Sequence, residues 1–168
     1  MSNPFNAYVV IAPIAASFAG FGSLASGLGQ RHGGDDARVD ATRLTLMLFA
    51  SLSAAMLGLL PMTLAGFVNE DAAARLSSLA ALVAIPAYAA AGLKRARSLR
   101  RVPGFSVAGV LSNLACAMIA FTAFAMCAAG FPTGRLSAIY LIGLMGMLGS
   151  SAIMFSLVIV SMLRRHER

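Results

Sequence analysis

Five stretches of this sequence contain no Asp, Glu, Lys, Arg or His, and they bracket everything the chain can become: Ala7–Leu28, Leu44–Phe67, Leu76–Leu93, Phe105–Phe131 and Leu136–Leu163. An apolar run of about 18 residues or more is long enough to cross a hydrocarbon core roughly 30 Å thick. Every charged residue is confined to the gaps and the tail, so only 11% of the chain is charged and 59% is hydrophobic, where a soluble domain carries about 25% charge. The runs are continuously apolar. Barrel strands would alternate polar and apolar in segments of about ten residues, so the expected fold is all-α: an integral membrane bundle of about five transmembrane helices, near 7–28, 44–67, 70–101, 105–131 and 136–163, forming one domain. The first run has the length of a signal peptide, but Met1–Asn6 lacks the positive n-region, and it is counted as a retained helix.

The basic residues divide by gap. Arg31, Arg38 and Arg43 fall in the first, Lys94, Arg95, Arg97, Arg100 and Arg101 in the third, and Arg164, Arg165 and Arg168 in the tail, leaving Arg75 and Arg135 for the alternate gaps. Eleven against two predicts an N-terminus outside the cytoplasm and a cytoplasmic C-terminus. The same bias accounts for the net charge of +7 without nucleic acid, for which no folded basic domain is present. The five cations ending the third helix complement its dipole and are candidate contacts for anionic lipid on the cytoplasmic side.

Local punctuation agrees with this layout. Gly33 and Gly34 interrupt the chain after the first run, and Asp36 or Asp40 is placed to cap the second helix. Asn69 is placed to cap the third, with Glu70 and Asp71 in its first turn. Pro132, Thr133 and Gly134 make a short turn between the last two helices. Pro13, Pro61 and Pro86 lie inside spans, each removing a backbone donor that a neighbouring helix must replace.

Between helices in lipid the hydrophobic effect is silent, so small residues that admit close backbone approach carry the packing information. Ala12, Ala16, Gly20, Ser23 and Gly27 share one face of the first helix, and Ser77, Ala80, Ala84, Ala87 and Ala91 one face of the third. The fourth offers Ser112, Cys116, Ala123, Cys127 and Gly130, and the fifth Gly143, Gly146, Ser150 and Ser161. These seams are expected to close one compact bundle within the chain; the alternative assigns at least one to a partner, and the fifth helix is then the candidate, because Gly143, Gly146 and Gly149 cover an arc wider than one neighbour needs. Cys116 and Cys127 stand eleven residues apart in one helix, roughly 16 Å along its axis, too far to bond.

Chemistry is sparse. The spans hold no ionisable side chain for a proton relay or protease. His32 and His166 lie outside them, so no haem ligand pair is buried. His32, Asp35, Asp36 and Asp40 are metal-ligand types, but capping and pairing with Arg38 or Arg43 account for them equally. No phosphate loop follows Gly27, Gly29, Gly33 and Gly34. No cofactor, metal or enzymatic activity is expected. Asn113, about 12 Å into the fourth helix, is the one strongly polar side chain well inside a span, read as an interhelical hydrogen-bonder or a path-lining group. The ten methionines share no spacing between helices and read as core filler.

The run Phe18, Gly20, Phe21, Leu28, Gly29, Gln30, Arg31, with Arg43, Leu60-Pro61 and Arg75-Leu76-Ser77-Ser78, resembles a bacterial family of small uncharacterised polytopic membrane proteins. The resemblance covers roughly the first half of the chain, implies a five-helix bundle of unassigned activity, and carries no catalytic residue across. Two functions stay open: a non-enzymatic accessory or assembly subunit acting through helix contacts with other membrane proteins or with itself, and a homo-oligomeric channel or transporter for an uncharged solute.

Overall fold

The computed structural model describes residues 4–29, 35–99, 106–131 and 134–166. They form five helices: α1 (Pro4–Gly29), α2 (Asp35–Leu64), α3 (Glu70–Leu99), α4 (Val107–Ala128) and α5 (Leu136–His166). Among the described residues, α2 to α5 each contain a segment long and apolar enough to cross a membrane, and α1 contributes the shorter apolar stretch Val10–Gly22. Large side chains such as Met56, Val83, Leu111, Met118 and Met145 are more than half exposed. An apolar surface of that extent belongs in lipid, and the fold is a helical bundle of the membrane-protein type.

Helix ends follow local chemistry. Asn69 Oδ1 accepts the Ala72 N–H at 2.8 Å, with Glu70 and Asp71 in the first turn of α3. Ser106 caps α4, its hydroxyl accepting the Gly109 N–H at 3.2 Å. At the other end of α4, Gly130 takes φ +74°, its N–H bonds the Cys127 carbonyl, and the Phe131 N–H reaches back to Met126. This is a Schellman motif, which requires the left-handed residue that glycine adopts without penalty. The Arg75 guanidinium lies where a Cβ on Gly130 would stand, placing a cation at the carbonyl end of α4.

The start of α2 departs from expectation. The helix begins at Asp35, nine residues before the apolar run, because loss of hydrophobicity ends the membrane segment and not the helix. Asp40 is therefore not a cap. It sits within α2, only 6% exposed, with its carboxylate bonded by Arg43 (3.1 Å) and by the Ser161 hydroxyl of α5 (3.0 Å). A buried carboxylate is tolerable only when paired and hydrogen-bonded in this way. The membrane-length segment of α2 thus does include ionisable groups, at its end.

Helix α5 is the centre of the bundle and packs on all four others; α1 packs on α2 and α5, and α3 lies against α2, α4 and α5. Among the described residues α2 and α4 do not meet. The core gathers Ala54, Leu57, Ala81, Ile85, Ala120 and Leu144 around Phe124 and Tyr140, whose rings meet edge to face at 5.1 Å. Pro61 cannot donate to the Leu57 carbonyl one turn back, and Tyr140 of α5 supplies that donor at 2.6 Å.

Within the bundle, the buried faces of α1 and α3 differ from two of the expected small-residue seams. Gly20 has open space beyond it, and Ala16 beside it is exposed. The buried face of α1 is instead Ile11, Ala15 and Gly22, with Gly22 against Met47 and Leu48 of α2. On α3, Ser77 of the expected seam is buried, but Ala80, Ala87 and Ala91 are exposed and Ala84 is half-buried, while Ala74, Ser78, Ala81, Ile85 and Tyr88 also face inward. The wide glycine arc of α5 faces a single neighbour: Gly143 abuts Phe124, Gly146 meets Ala120 and the Cys116 carbonyl, and Gly149 meets Cys116 Sγ. Ser23 and Gly27 lie outside the described side chains.

Candidate functional site

Because α3 lies on α2 and α4 while those two stay apart, the bundle holds an opening at the end where α2 and α4 begin and α3 and α5 finish. There a cleft of about 220 Å³ is lined by all four helices. Its walls are apolar, including Val39 and Leu46 of α2, Val110 and Leu114 of α4, and Met154 and Leu157 of α5. Leu93 and Leu114, each about half exposed, stand at its rim.

Polar groups enter the cleft at two levels. At the mouth are Thr42 and Arg43 of α2 and the capping Ser106 of α4. Deeper, Asn113 and Tyr88 join Ser150 of α5 in a triad: the Tyr88 hydroxyl donates to Asn113 Oδ1 at 3.1 Å, the Ser150 hydroxyl donates to the same oxygen, and the two hydroxyls stand 2.9 Å apart. Two hydroxyl protons cannot serve three oxygen–oxygen approaches at once, so two act as hydrogen bonds at any moment. Asn113 Nδ2 has no partner among the described protein groups, and Asn113 lines the cleft.

A second polar rung lies beside the cleft. Ser151 donates to the Met47 carbonyl at 3.0 Å, and its oxygen stands 2.5 Å from the Ser51 hydroxyl, which closes the link between α2 and α5. These bonds are internal. They register α5 against its neighbours and present nothing to a ligand.

Of the residues singled out from the sequence, the fold brings Asn113 and Ser150 into one triad and places Gly143 and Gly146 on the α4–α5 contact. Gly20 and Ala87 face outward. Lys94, Arg95 and Arg97 are exposed at the same end as the cleft, and Arg100 and Arg101 lie outside the described residues. Of the acidic and histidine cluster only Asp40 has a described side chain, and it is bonded to Arg43 and Ser161. Sequence reasoning passed over Tyr88, Tyr140 and the buried role of Asp40. A signal existed for the tyrosines: a phenol inside an apolar run must find a hydrogen-bond partner when buried, and both are at most 5% exposed.

The architecture defines a class, a helical bundle of membrane type with a half-open polar-floored cleft at its basic end. Comparison with known protein families, curated proteins and solved structures finds no match for the chain.

Proposed function

We propose that this is a non-enzymatic, multi-pass protein of a bacterial inner membrane that acts through helix–helix contacts, as an accessory or assembly subunit. The observation that carries the reading is the outward placement of small residues on two helices. Ala16 and Gly20 on α1, and Ala80, Ala87 and Ala91 on α3, are exposed, and no described atom lies within 4 Å of the position a Cβ on Gly20 would take. Such faces let a second backbone approach closely in lipid, where van der Waals packing drives association. The partner is another membrane protein or a second copy. The basic ends of α2 to α5 lie in the cytoplasm on this reading, with the N-terminus outside, and Lys94, Arg95, Arg97, Arg100 and Arg101 meet anionic headgroups there. A solute path has less support, since the Tyr88, Asn113 and Ser150 groups that would line it bond one another.

The test exploits the open space that a side chain at position 20 would enter. Leucine at positions 20 and 87 adds bulk outside the bundle and leaves the core untouched. Crosslinking in native membranes is expected to trap the wild-type chain with a discrete membrane-protein partner, and Gly20→Leu with Ala87→Leu to abolish that product at unchanged protein level. A wild-type chain that crosslinks to nothing, or a product indifferent to both substitutions, overturns the proposal.

A further inference from the structure

The cleft at the basic end has a shape and polarity that the helix-contact reading does not use. Its α4 wall runs from Ser106 to Ala117, which at 1.5 Å per residue is about 16 Å. A single leaflet supplies half of a hydrocarbon core roughly 30 Å thick. The cleft therefore extends from the interface to about the mid-plane, the distance one acyl chain covers. Its long walls are apolar and its rim opens to the bundle surface at Leu93 and Leu114, so a chain from the surrounding bilayer enters sideways without crossing a polar barrier.

The mouth selects a headgroup. Arg43, paired with Asp40, reaches the cleft, and the exposed Lys94 and Arg95 follow directly on Leu93 at its rim, so among the described side chains at this end cations outnumber the one buried carboxylate. Ser106 opens α4, whose first N–H groups form the positive end of a helix aimed at the same level. Arg43, the adjacent α3 cations and this helix start all favour a phosphate. Partway down, Asn113 lines the wall with an amide nitrogen that no described protein group engages. In that region of a phospholipid the acceptors are ester carbonyls.

We infer that the cleft seats one acyl chain of an anionic phospholipid, with the phosphate at Arg43 and the start of α4 and an ester carbonyl within reach of Asn113. This site is separate from the exposed small-residue faces of α1 and α3 and stands whether or not they bind a partner. It gives the bundle a structural lipid that fills the gap between α2 and α4.

The experiment places the full chain in phosphatidylcholine vesicles doped with phosphatidylglycerol that carries a photoactivatable diazirine on one acyl chain, and maps adducts by mass spectrometry. Adducts are expected at Leu46 and Val110 in the cleft, above the level at Leu111 and Met118 on the outer surface of α4. Ala90→Phe sets a ring into the cleft from its rim and is expected to bring the cleft adducts down to that outer level, in protein that remains monodisperse. The pair Asp40→Asn with Arg43→Gln removes the mouth cation without stranding a buried charge. It is expected to equalise labelling by the phosphatidylglycerol probe and a matched phosphatidylcholine probe, which in wild type labels the cleft less. Equal adducts in the cleft and on the outer face, or adducts indifferent to Ala90→Phe, overturn the site. Equal wild-type labelling by the two probes overturns the anionic assignment.

Discussion

At the scale of single residues, the bundle is registered by a few polar bonds whose necessity comes from backbone chemistry. Pro61 leaves the Leu57 carbonyl without its intrahelical donor, and in a low-dielectric interior an unpaired carbonyl costs about 1–3 kcal/mol. Tyr140 removes that cost from another helix. Tyr140→Phe is therefore expected to destabilise the protein by about 1–3 kcal/mol, read from reversible unfolding in detergent. In a Pro61→Ala background the restored N–H satisfies Leu57, and the same Tyr140→Phe change is expected to cost markedly less. An additive double-mutant cycle contradicts this account of the proline. The Tyr88, Asn113 and Ser150 triad is a milder case, since interhelical hydrogen bonds in membranes average about 0.6 kcal/mol, and Ser150→Ala leaves Tyr88 still bonded to Asn113.

Among the helices, α4 and α5 pack closely because glycine lets backbone meet backbone. A Cβ on Gly146 stands 3.1 Å from the Ala120 nitrogen and from the Cys116 carbonyl oxygen, atoms that no rotamer change removes. On Gly143 it meets the Phe124 ring at 2.7 Å. Gly146→Ile must push α4 away from α5 and is expected to cost about 1–3 kcal/mol or more, seen as a lower unfolding midpoint and a loss of monodisperse protein. Gly20→Ile enters open space and is expected to stay within about 0.5 kcal/mol of wild type. Equal effects at the two glycines contradict the assignment of buried faces.

Over the whole molecule, charge and packing divide the bundle into unlike ends. One holds Arg43, Lys94, Arg95, Arg97 and the cleft; the other holds the α2–α3 turn, where Phe67 is 89% exposed. The proposed orientation puts the first end in the cytoplasm. With Cys116 and Cys127 replaced by alanine, Phe67→Cys is expected to react with an impermeant maleimide on intact cells, and Lys94→Cys only after permeabilisation. The reverse pattern inverts the topology.

How far the sequence reached follows from which forces are local. Helicity and membrane-length apolar segments were legible because in hydrocarbon each backbone group must be satisfied within its own helix and transfer from water sums residue by residue. The cap at Asn69 was legible for the same reason, since its partner is three positions away, whereas Gly130, read as part of a packing seam, instead ends α4 in a left-handed turn. The start of α2 was not, because hydrophobicity marks where lipid ends while the helix runs on through Asp40, held by a serine 121 positions distant. Nor were the inward faces. In water a polar face marks the outside of a helix, but here both faces are apolar, so Gly20 and Gly22 look alike in sequence although one is open and the other lies on Met47. Asn113 was recognised as polar in an apolar run, but its partners come from α3 and α5, 25 and 37 positions away. The sequence by itself determined a lipid-soluble set of helices with one basic side. Which small residues are buried, and that α2 and α4 part to leave a cleft, were decided by side-chain shape across helices, because within lipid only packing and interhelical hydrogen bonds distinguish one arrangement from another.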